Sequence, residues 1–304
     1  MKKIRLKAFA KVNYALDVLG LREDGYHEVE TVMQNISLAD EIEIEVANRG
    51  FDLRVEPEGT VIGPPEENTV YRAWKLLCGL AGEDLAIRVT LRKEIPAGAG
   101  LGGGSTDAAA VLVGLNCLFG LGLRAEELRD VGAGIGADVP FCISGGTALG
   151  EGVGDILTLL PAPPAHRLVV VKSLAGADTG KIYRAYDEGP ARNSRSVEAV
   201  VAALESGSLP ALAAAVGNDL APVTAGLVPV VETLRRGLID AGALGASMSG
   251  SGTAVYGIFD EEGAALSAAQ ESGVPFAGVY VPVSCGVEEI QPGRLGERRR
   301  RPGD

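Results

Sequence analysis

Residues 96–106 read PAGAGLGGGST, with five glycines in the seven positions 98–104. Such a run suits neither helix nor strand, because glycine loses more backbone freedom on folding than any other residue. It makes physical sense where successive backbone N–H groups must converge on one spot as an anion-binding concavity. Upstream, LAIRVTLRKEIP alternates Ile87, Val89 and Leu91 with Arg88, Thr90 and Arg92, a strand pattern ended by Pro96. Downstream, apolar residues run almost all round residues 105–118, which predicts a buried helix. A strand, a glycine loop and a helix N-terminus in that order favour a phosphate, held by unpaired N–H groups and the helix dipole.

Two familiar phosphate loops fail on detail. Gly98, Gly100 and Gly103 fit G-x-G-x-x-G, but the dinucleotide fold needs a second strand ending in an acid about 20 positions on. The segment in that place, GLGLRAEELRD, reads as loop and helix. A P-loop needs lysine before its Ser/Thr, and Gly104 stands there. The hydroxyls of Ser105 and Thr106 can still meet a phosphate or Mg²⁺. Asp107 suits the first turn of a helix but would repel an adjacent phosphate, so the glycine backbone is the expected cradle.

The rest of the chain predicts a mixture of strands and helices. IRLKAFAKVNYALDVLG opens with strand alternation, and DEIEIEVAN sets Ile42, Ile44 and Val46 against Glu41, Glu43 and Glu45. FDLRVE reads as the hairpin partner of that strand across the turn NRG. ENTVYRAWKLLCGLAG predicts a helix capped by Asn68, and a further helix covers residues 125–131. LPAPPAH, residues 160–166, is the expected break between two α+β domains, 1–160 and 161–292, with 293–304 a disordered tail. Beyond the break we expect strands at 168–171, 253–259 and 276–281, with helices at 178–186, 197–203, 228–241 and 261–271.

The 304 residues are 46% hydrophobic, enough for a substantial core, and carry a net charge of −12. That charge argues against broad nucleic-acid binding, and the arginines of the tail read as a solvated charge block. The four cysteines form no C-x-x-C pair, so buried thiols in a reducing cytoplasm are expected rather than a metal or disulfide framework. The opening residues lack the apolar stretch of a secretion signal, and no run reaches the length of a membrane span. His166, in the proline-rich break, is expected at the surface.

PAGAGLGGGSTDAA resembles the phosphate loop of the GHMP kinases, the superfamily of galactokinase and of homoserine, mevalonate and phosphomevalonate kinases. GASMSGSGTAVYGIF, residues 245–259, is similar to that superfamily's C-terminal glycine motif. The resemblance implies an α+β, two-domain GHMP kinase fold: an N-terminal ribosomal S5-like α/β domain, a C-terminal ferredoxin-like α+β domain, and the active site in the cleft between them. It implies ATP as co-substrate with Mg²⁺, with no residue of the chain assigned as a metal ligand. ATP would be held by Pro96, Ala97, Gly98, Ala99, Gly100, Leu101, Gly102, Gly103, Gly104, Ser105 and Thr106, with Asn68 bordering the adenine.

FAKVNYALDVLG, REDGYHEVETVMQNISLADEI, GIGADVPFCISGGTALGEGVGD and NDLAPV resemble one branch of the superfamily. Its acceptor is a cytidine-diphosphate-linked methylerythritol, phosphorylated on its 2-hydroxyl in the non-mevalonate route to isoprenoid precursors. The segment D-G-Y-H is the most discriminating. By this resemblance Asp138 is the catalytic base and Lys11 the charge stabiliser. Asn13 contacts the acceptor near its reacting end, Tyr26 and His27 bind the cytidine, and Tyr183 supplies a second aromatic face, with Tyr186 as its rival. The segment LAGADTGKIYRAYD departs from the commoner S-T-x-x-x-Y/F, and Ser105-Thr106-Asp107 replaces the S-S-N of many relatives. Another small-molecule kinase of the homoserine or mevalonate type is the alternative. A nucleotide-binding regulator without catalysis is disfavoured by the presence of both Lys11 and Asp138. Neither nucleic acid nor membrane is an expected partner, and a homodimer stays open.

Overall fold

A computed structural model describes residues 2–58, 67–189 and 195–291. The expected tail therefore lies outside the described residues. Two long strands, β1 (Lys3–Leu21) and β2 (His27–Val46), form an antiparallel hairpin in register from Lys3↔Glu45 to Leu21↔His27. Its turn is closed by Asp24, whose Oδ1 accepts the Tyr26 N–H at 3.0 Å.

The expected hairpin between DEIEIEVAN and FDLRVE is split. β3 (Phe51–Glu56) runs parallel to β4 (Ile87–Arg92), and β4 inserts between β2 and β3. The crossover between them is α1 (Thr69–Ala81), capped as expected by Asn68, whose Oδ1 accepts the Val70 N–H at 2.9 Å. Burial explains the order. Ile87, Val89 and Leu91 of β4 are all buried, whereas β3 is half-exposed and takes the sheet edge.

Helix α2 (Gly103–Phe119) lies under this sheet and is buried nearly all round. Gly114 permits the close crossing, since a Cβ there would come within 2.7 Å of Ile44 and 2.9 Å of Leu6. Next come α3 (Ala125–Ala133), α4 (Val139–Ser144), β5 (Thr147–Glu151) and β6 (Ile156–Leu159). β2 is long enough to serve two partners, β4 along Glu41–Val46 and β5 along Thr31–Gln34.

Past the proline-rich stretch stand β7 (Arg167–Lys172), α5 (Thr179–Asp187), α6 (Ser196–Ser206), α7 (Leu209–Ala215), β8 (Gly217–Asn218), α8 (Ala221–Leu227) and α9 (Val230–Asp240). The described chain closes with β9 (Gly245–Met248), β10 (Val255–Phe259), α10 (Glu262–Glu271), β11 (Phe276–Tyr280) and β12 (Val287–Glu289). β11, β7, β10 and β9 form a second, antiparallel sheet. β8 and β12 instead return to β1 of the first sheet. No helix among the described residues is long and apolar enough to cross a membrane.

Two expectations about side chains are corrected. His166 is buried, not exposed: its Nδ1 lies 2.7 Å from the Pro164 carbonyl and its Nε2 3.1 Å from the Tyr14 hydroxyl. The connector is tucked against β1 by those bonds, and burial lowers the imidazole's pKa. Of the cysteines only Cys142 is buried; Cys78 and Cys285 are half-buried and Cys117 is exposed.

Candidate active site

The site begins with irregularities in β1. Its ladder with β2 shifts register between Phe9 and Lys11 and again between Asn13 and Ala15, and bulges of this kind re-aim side chains. The Lys11 N–H donates to the Leu101 carbonyl at 2.9 Å, which straps the glycine loop to the strand. Lys11 and Asn13, two residues apart, share a face. Lys11 Nζ donates to Asn13 Oδ1 at 2.8 Å and pairs with Asp138 Oδ2 at 3.2 Å. The Lys11 side chain is 4% exposed and that of Asp138 33%. A buried ammonium is costly unless paired and hydrogen-bonded, and these two oxygens supply both needs. Asp138 stands at the N-cap position of α4, yet its carboxylate makes no capping bond, so it faces Lys11.

Asn13 ties this pair to the second glycine motif. Its Oδ1 also accepts the Gly250 N–H at 2.8 Å, and its Nδ2 donates to Thr31 Oγ1 at 2.8 Å. Asn218, within NDLAPV, donates to the Met248 and Gly250 carbonyls at 2.9 and 2.8 Å. Ser249 Oγ donates to the Gly100 carbonyl at 2.8 Å. The two glycine segments therefore touch. Gly100 has φ +77°, and a Cβ there would lie 2.0 Å from the Ser249 carbonyl oxygen, so no other residue fits.

Two cavities flank the first glycine loop. One, of about 760 Å³, is lined by Lys11, Asn13, Asp138, Tyr26, His27 and Tyr183 among others, together with Gly250, Ser251 and Gly252. The other, of about 420 Å³, is lined by residues 96–105 with Asn68, Thr69 and Lys93. Gly98, Gly100, Gly102 and Ser105 border both, so the loop is the wall between them. Every residue of 96–105 expected to hold ATP lines the smaller cavity. Thr106 departs from that expectation. It is fully buried and lines neither cavity.

Asp107 is also buried; its Oδ2 is bonded from within the protein, while its Oδ1 has no hydrogen-bond partner among the described residues. Lys93 Nζ donates to Asp107 Oδ2 at 2.7 Å and bonds to Asp40 as well. Asp40 in turn accepts the N–H groups of Glu94 and Ile95 at 2.6 and 2.9 Å, fixing the approach to the loop. Burial pushes the Asp107 carboxyl up to about 8, with Lys93 pulling down and Asp40 pushing up.

At the other end of the larger cavity, His27 and Tyr183 stack with ring centroids 4.5 Å apart and planes at 30°. His27 Nε2 lies 2.7 Å from Asp187 Oδ1. Tyr183 and Asp187 are four residues apart on α5, hence on one helix face. Burial, helped by the Asp138 charge and by Tyr186, pushes the Tyr183 phenol up to about 12. Tyr26 is 67% exposed at the rim. Both Tyr183 and the rival Tyr186 are half-buried against the core, but Tyr183 lines the cavity, whereas Tyr186 does not and donates to the Val18 carbonyl at 3.4 Å. Because Tyr183 lies on His27 itself, no slot for a ring opens between those two. Asp187, Thr31, Ser249 and the Asp40–Lys93 bond were not anticipated. The four-residue spacing of Tyr183 and Asp187, and the glycine motif of residues 245–259 that contains Ser249, were the available signals.

Among the described residues no group of three or more His, Cys, Asp or Glu side chains could hold a metal ion. Ser105 is the one hydroxyl-bearing residue among those described that lines both cavities. That fits a magnesium ion carried largely by phosphate oxygens, the usual manner for this cation.

Comparison with known proteins follows the same lines. Residues 68–146 match the GHMP kinases N terminal domain and residues 200–272 the GHMP kinases C terminal domain. A 4-diphosphocytidyl-2-C-methyl-D-erythritol kinase of Geobacter sp. (strain M21) is 44% identical over 272 residues, 89% of this chain and 95% of the relative. One of Pelotomaculum thermopropionicum is 46% identical over 253 residues, 83% of this chain and 87% of the relative. A crystal structure of a 4-(cytidine 5'-diphospho)-2C-methyl-D-erythritol kinase superposes with a TM-score of 0.77 at 35% identity, covering 92% of this chain and 99% of the other. Homoserine kinase of Cytophaga hutchinsonii superposes with a TM-score of 0.78 at 21% identity, covering 95% of this chain and 98% of the other. At that identity the likeness is one of fold alone.

Proposed function

The chain belongs to the GHMP kinases, in the branch of the 4-diphosphocytidyl-2-C-methyl-D-erythritol kinases, and from that premise we propose that it moves the γ-phosphoryl group of ATP to the 2-hydroxyl of 4-diphosphocytidyl-2-C-methyl-D-erythritol. The step belongs to the non-mevalonate route to isoprenoid precursors. The observation that carries this reading is the meeting of three features on one cavity: the Lys11–Asp138 pair, the glycine loop and the His27–Tyr183 cluster.

Phosphoryl transfer depends mainly on positioning and on charge stabilisation. In this reading the N–H groups of the glycine loop and of the first turn of α2 hold the phosphates of ATP in the smaller cavity, with Asn68 near the adenine. The acceptor lies in the larger cavity with its cytidine toward Tyr26, His27 and Tyr183. Asn13 supports its reacting end. The Asp138 carboxylate accepts the proton of the 2-hydroxyl. Lys11 holds Asp138 in place and offsets the negative charge that develops as the oxygen attacks. Ser105 would hold the magnesium ion together with the phosphates, and the ion would neutralise phosphate charge.

Residues 1–160 form the ATP-binding domain and 161–292 the second GHMP kinase domain in this proposal, with the reaction in the cytoplasm. Nucleic acid and membrane have no part in it. Measuring ADP release from ATP and Mg²⁺ with a panel of acceptors tests the reading. Turnover with the cytidyl substrate is expected, and turnover only with homoserine or mevalonate would replace it by another kinase of the superfamily.

A further inference from the structure

His27 is held in two independent ways. Its ring plane is set by Tyr183, stacked at 4.5 Å. Its rotation about that plane is set by Asp187, whose Oδ1 lies 2.7 Å from Nε2. The His27 side chain is only 8% exposed, and Asp187, itself on the cavity wall, is 40% exposed. A carboxylate can only accept here, so the proton of a neutral imidazole must sit on Nε2. Nδ1 then carries a lone pair, and no hydrogen bond reaches it from the described residues. His27, which lines the cavity, therefore has Nδ1 as its ring acceptor.

We infer that Asp187 is a positioning residue that makes the site specific for cytosine over uracil, by fixing His27 as a hydrogen-bond acceptor. The inference rests on the reading that the cytidine end of the acceptor lies against His27. Cytosine carries a 4-amino donor where uracil carries a carbonyl oxygen. A lone pair on Nδ1 accepts from the amino group and repels the carbonyl. Sites built to bond one polar group discriminate strongly against its replacement, because the mismatch leaves polar groups unpaired. Asp187 acts only through His27, much as second partners of metal-bound histidines fix their tautomer.

Nitrogen-15 spectroscopy reads the tautomer directly. The chain has two histidines, His27 and His166. Their contacts predict opposite forms, since Nδ1 of His166 lies 2.7 Å from the Pro164 carbonyl, which can only accept. At mildly alkaline pH His27 is expected with its proton on Nε2 in the wild type, and as a mixture in Asp187→Ala. In the same variant the kcat/KM preference for the cytidyl substrate over its uridine analogue is expected to fall about tenfold, the worth of one hydrogen bond. KM for ATP and the melting temperature should hold, and Asp187→Glu should restore part of the preference. A wild-type His27 protonated on Nδ1, or a cytidine preference unchanged in Asp187→Ala, would overturn the inference alone. A wild-type enzyme indifferent to the base would overturn the reading beneath it as well.

Discussion

Lys11 reaches Asp138 at 3.2 Å from a bulged strand whose own backbone is bonded to the glycine loop. The proposed base and the proposed phosphate cradle are thus fixed to one short stretch of β1. Asp138→Asn keeps the size of the side chain and removes its ability to take a proton. Turnover should fall by about a hundredfold to ten-thousandfold, the usual contribution of a positioned base. ATP affinity, read by calorimetry, should be nearly unchanged. Unaltered turnover would remove Asp138 from the mechanism.

Asn13 serves Lys11, Gly250 and Thr31 at once while 2% exposed. Asn13→Ala leaves the buried Lys11 ammonium with Asp138 alone and frees the second glycine segment. Denaturant unfolding should show a loss of about 2–4 kcal/mol, since unpaired buried polar groups cost about 1–3 kcal/mol each. A variant as stable as wild type would mean that water or Asp138 replaces those bonds.

Gly100 and Gly98 make a paired test of the loop. Both have positive φ, but a Cβ at Gly98 meets nothing within 4 Å, whereas one at Gly100 falls 2.0 Å from the Ser249 carbonyl oxygen. Gly98→Ala should cost about 1 kcal/mol from backbone strain, with a small rise in KM for ATP. Gly100→Ala should separate the two glycine segments and raise that KM at least tenfold. Equal effects would mean that the contact with Ser249 has no role in shaping the cradle.

Asp107 predicts a pH effect on stability. Its folded carboxyl is raised to about 8 by burial, against about 3.9 when unfolded. The folded chain therefore binds this proton more tightly, and its contribution is present at low pH and fades as pH rises from about 4 to about 8. Asp107→Asn carries no such proton. Its stability relative to wild type, from urea unfolding, should improve as pH rises from about 4 to about 8 and level off above that, whatever the offset from the altered Lys93 contact. A difference independent of pH would contradict the shift.

The site was legible in the sequence where it lies in contiguous motifs. The structure brings the glycine loop, Lys11, Asn13 and Asp138 to one cavity, and Asn68 caps α1 as its pattern predicts. What depends on distant pairing was not legible. The split of the expected β2–β3 hairpin by β4 follows from burial of Ile87, Val89 and Leu91, which no local turn signal encodes. His166 lay in a stretch read as surface loop, and only its bond to Tyr14, 152 positions away, brings it inside. The His27–Asp187 contact spans 160 positions. Thr106 reads from sequence as a phosphate contact and Asp107 as a residue of the helix first turn, yet the core encloses Thr106 and Lys93 bonds to a buried Asp107.

The most direct test is an ADP-release assay on the purified chain with ATP, Mg²⁺ and separate acceptors: the cytidyl methylerythritol substrate, homoserine and mevalonate. Saturable turnover with the first alone, and a His27→Ala variant whose KM rises for that substrate far more than for ATP, is the predicted result. Turnover with homoserine or mevalonate in its absence, or equal losses for both substrates in the variant, would contradict the account.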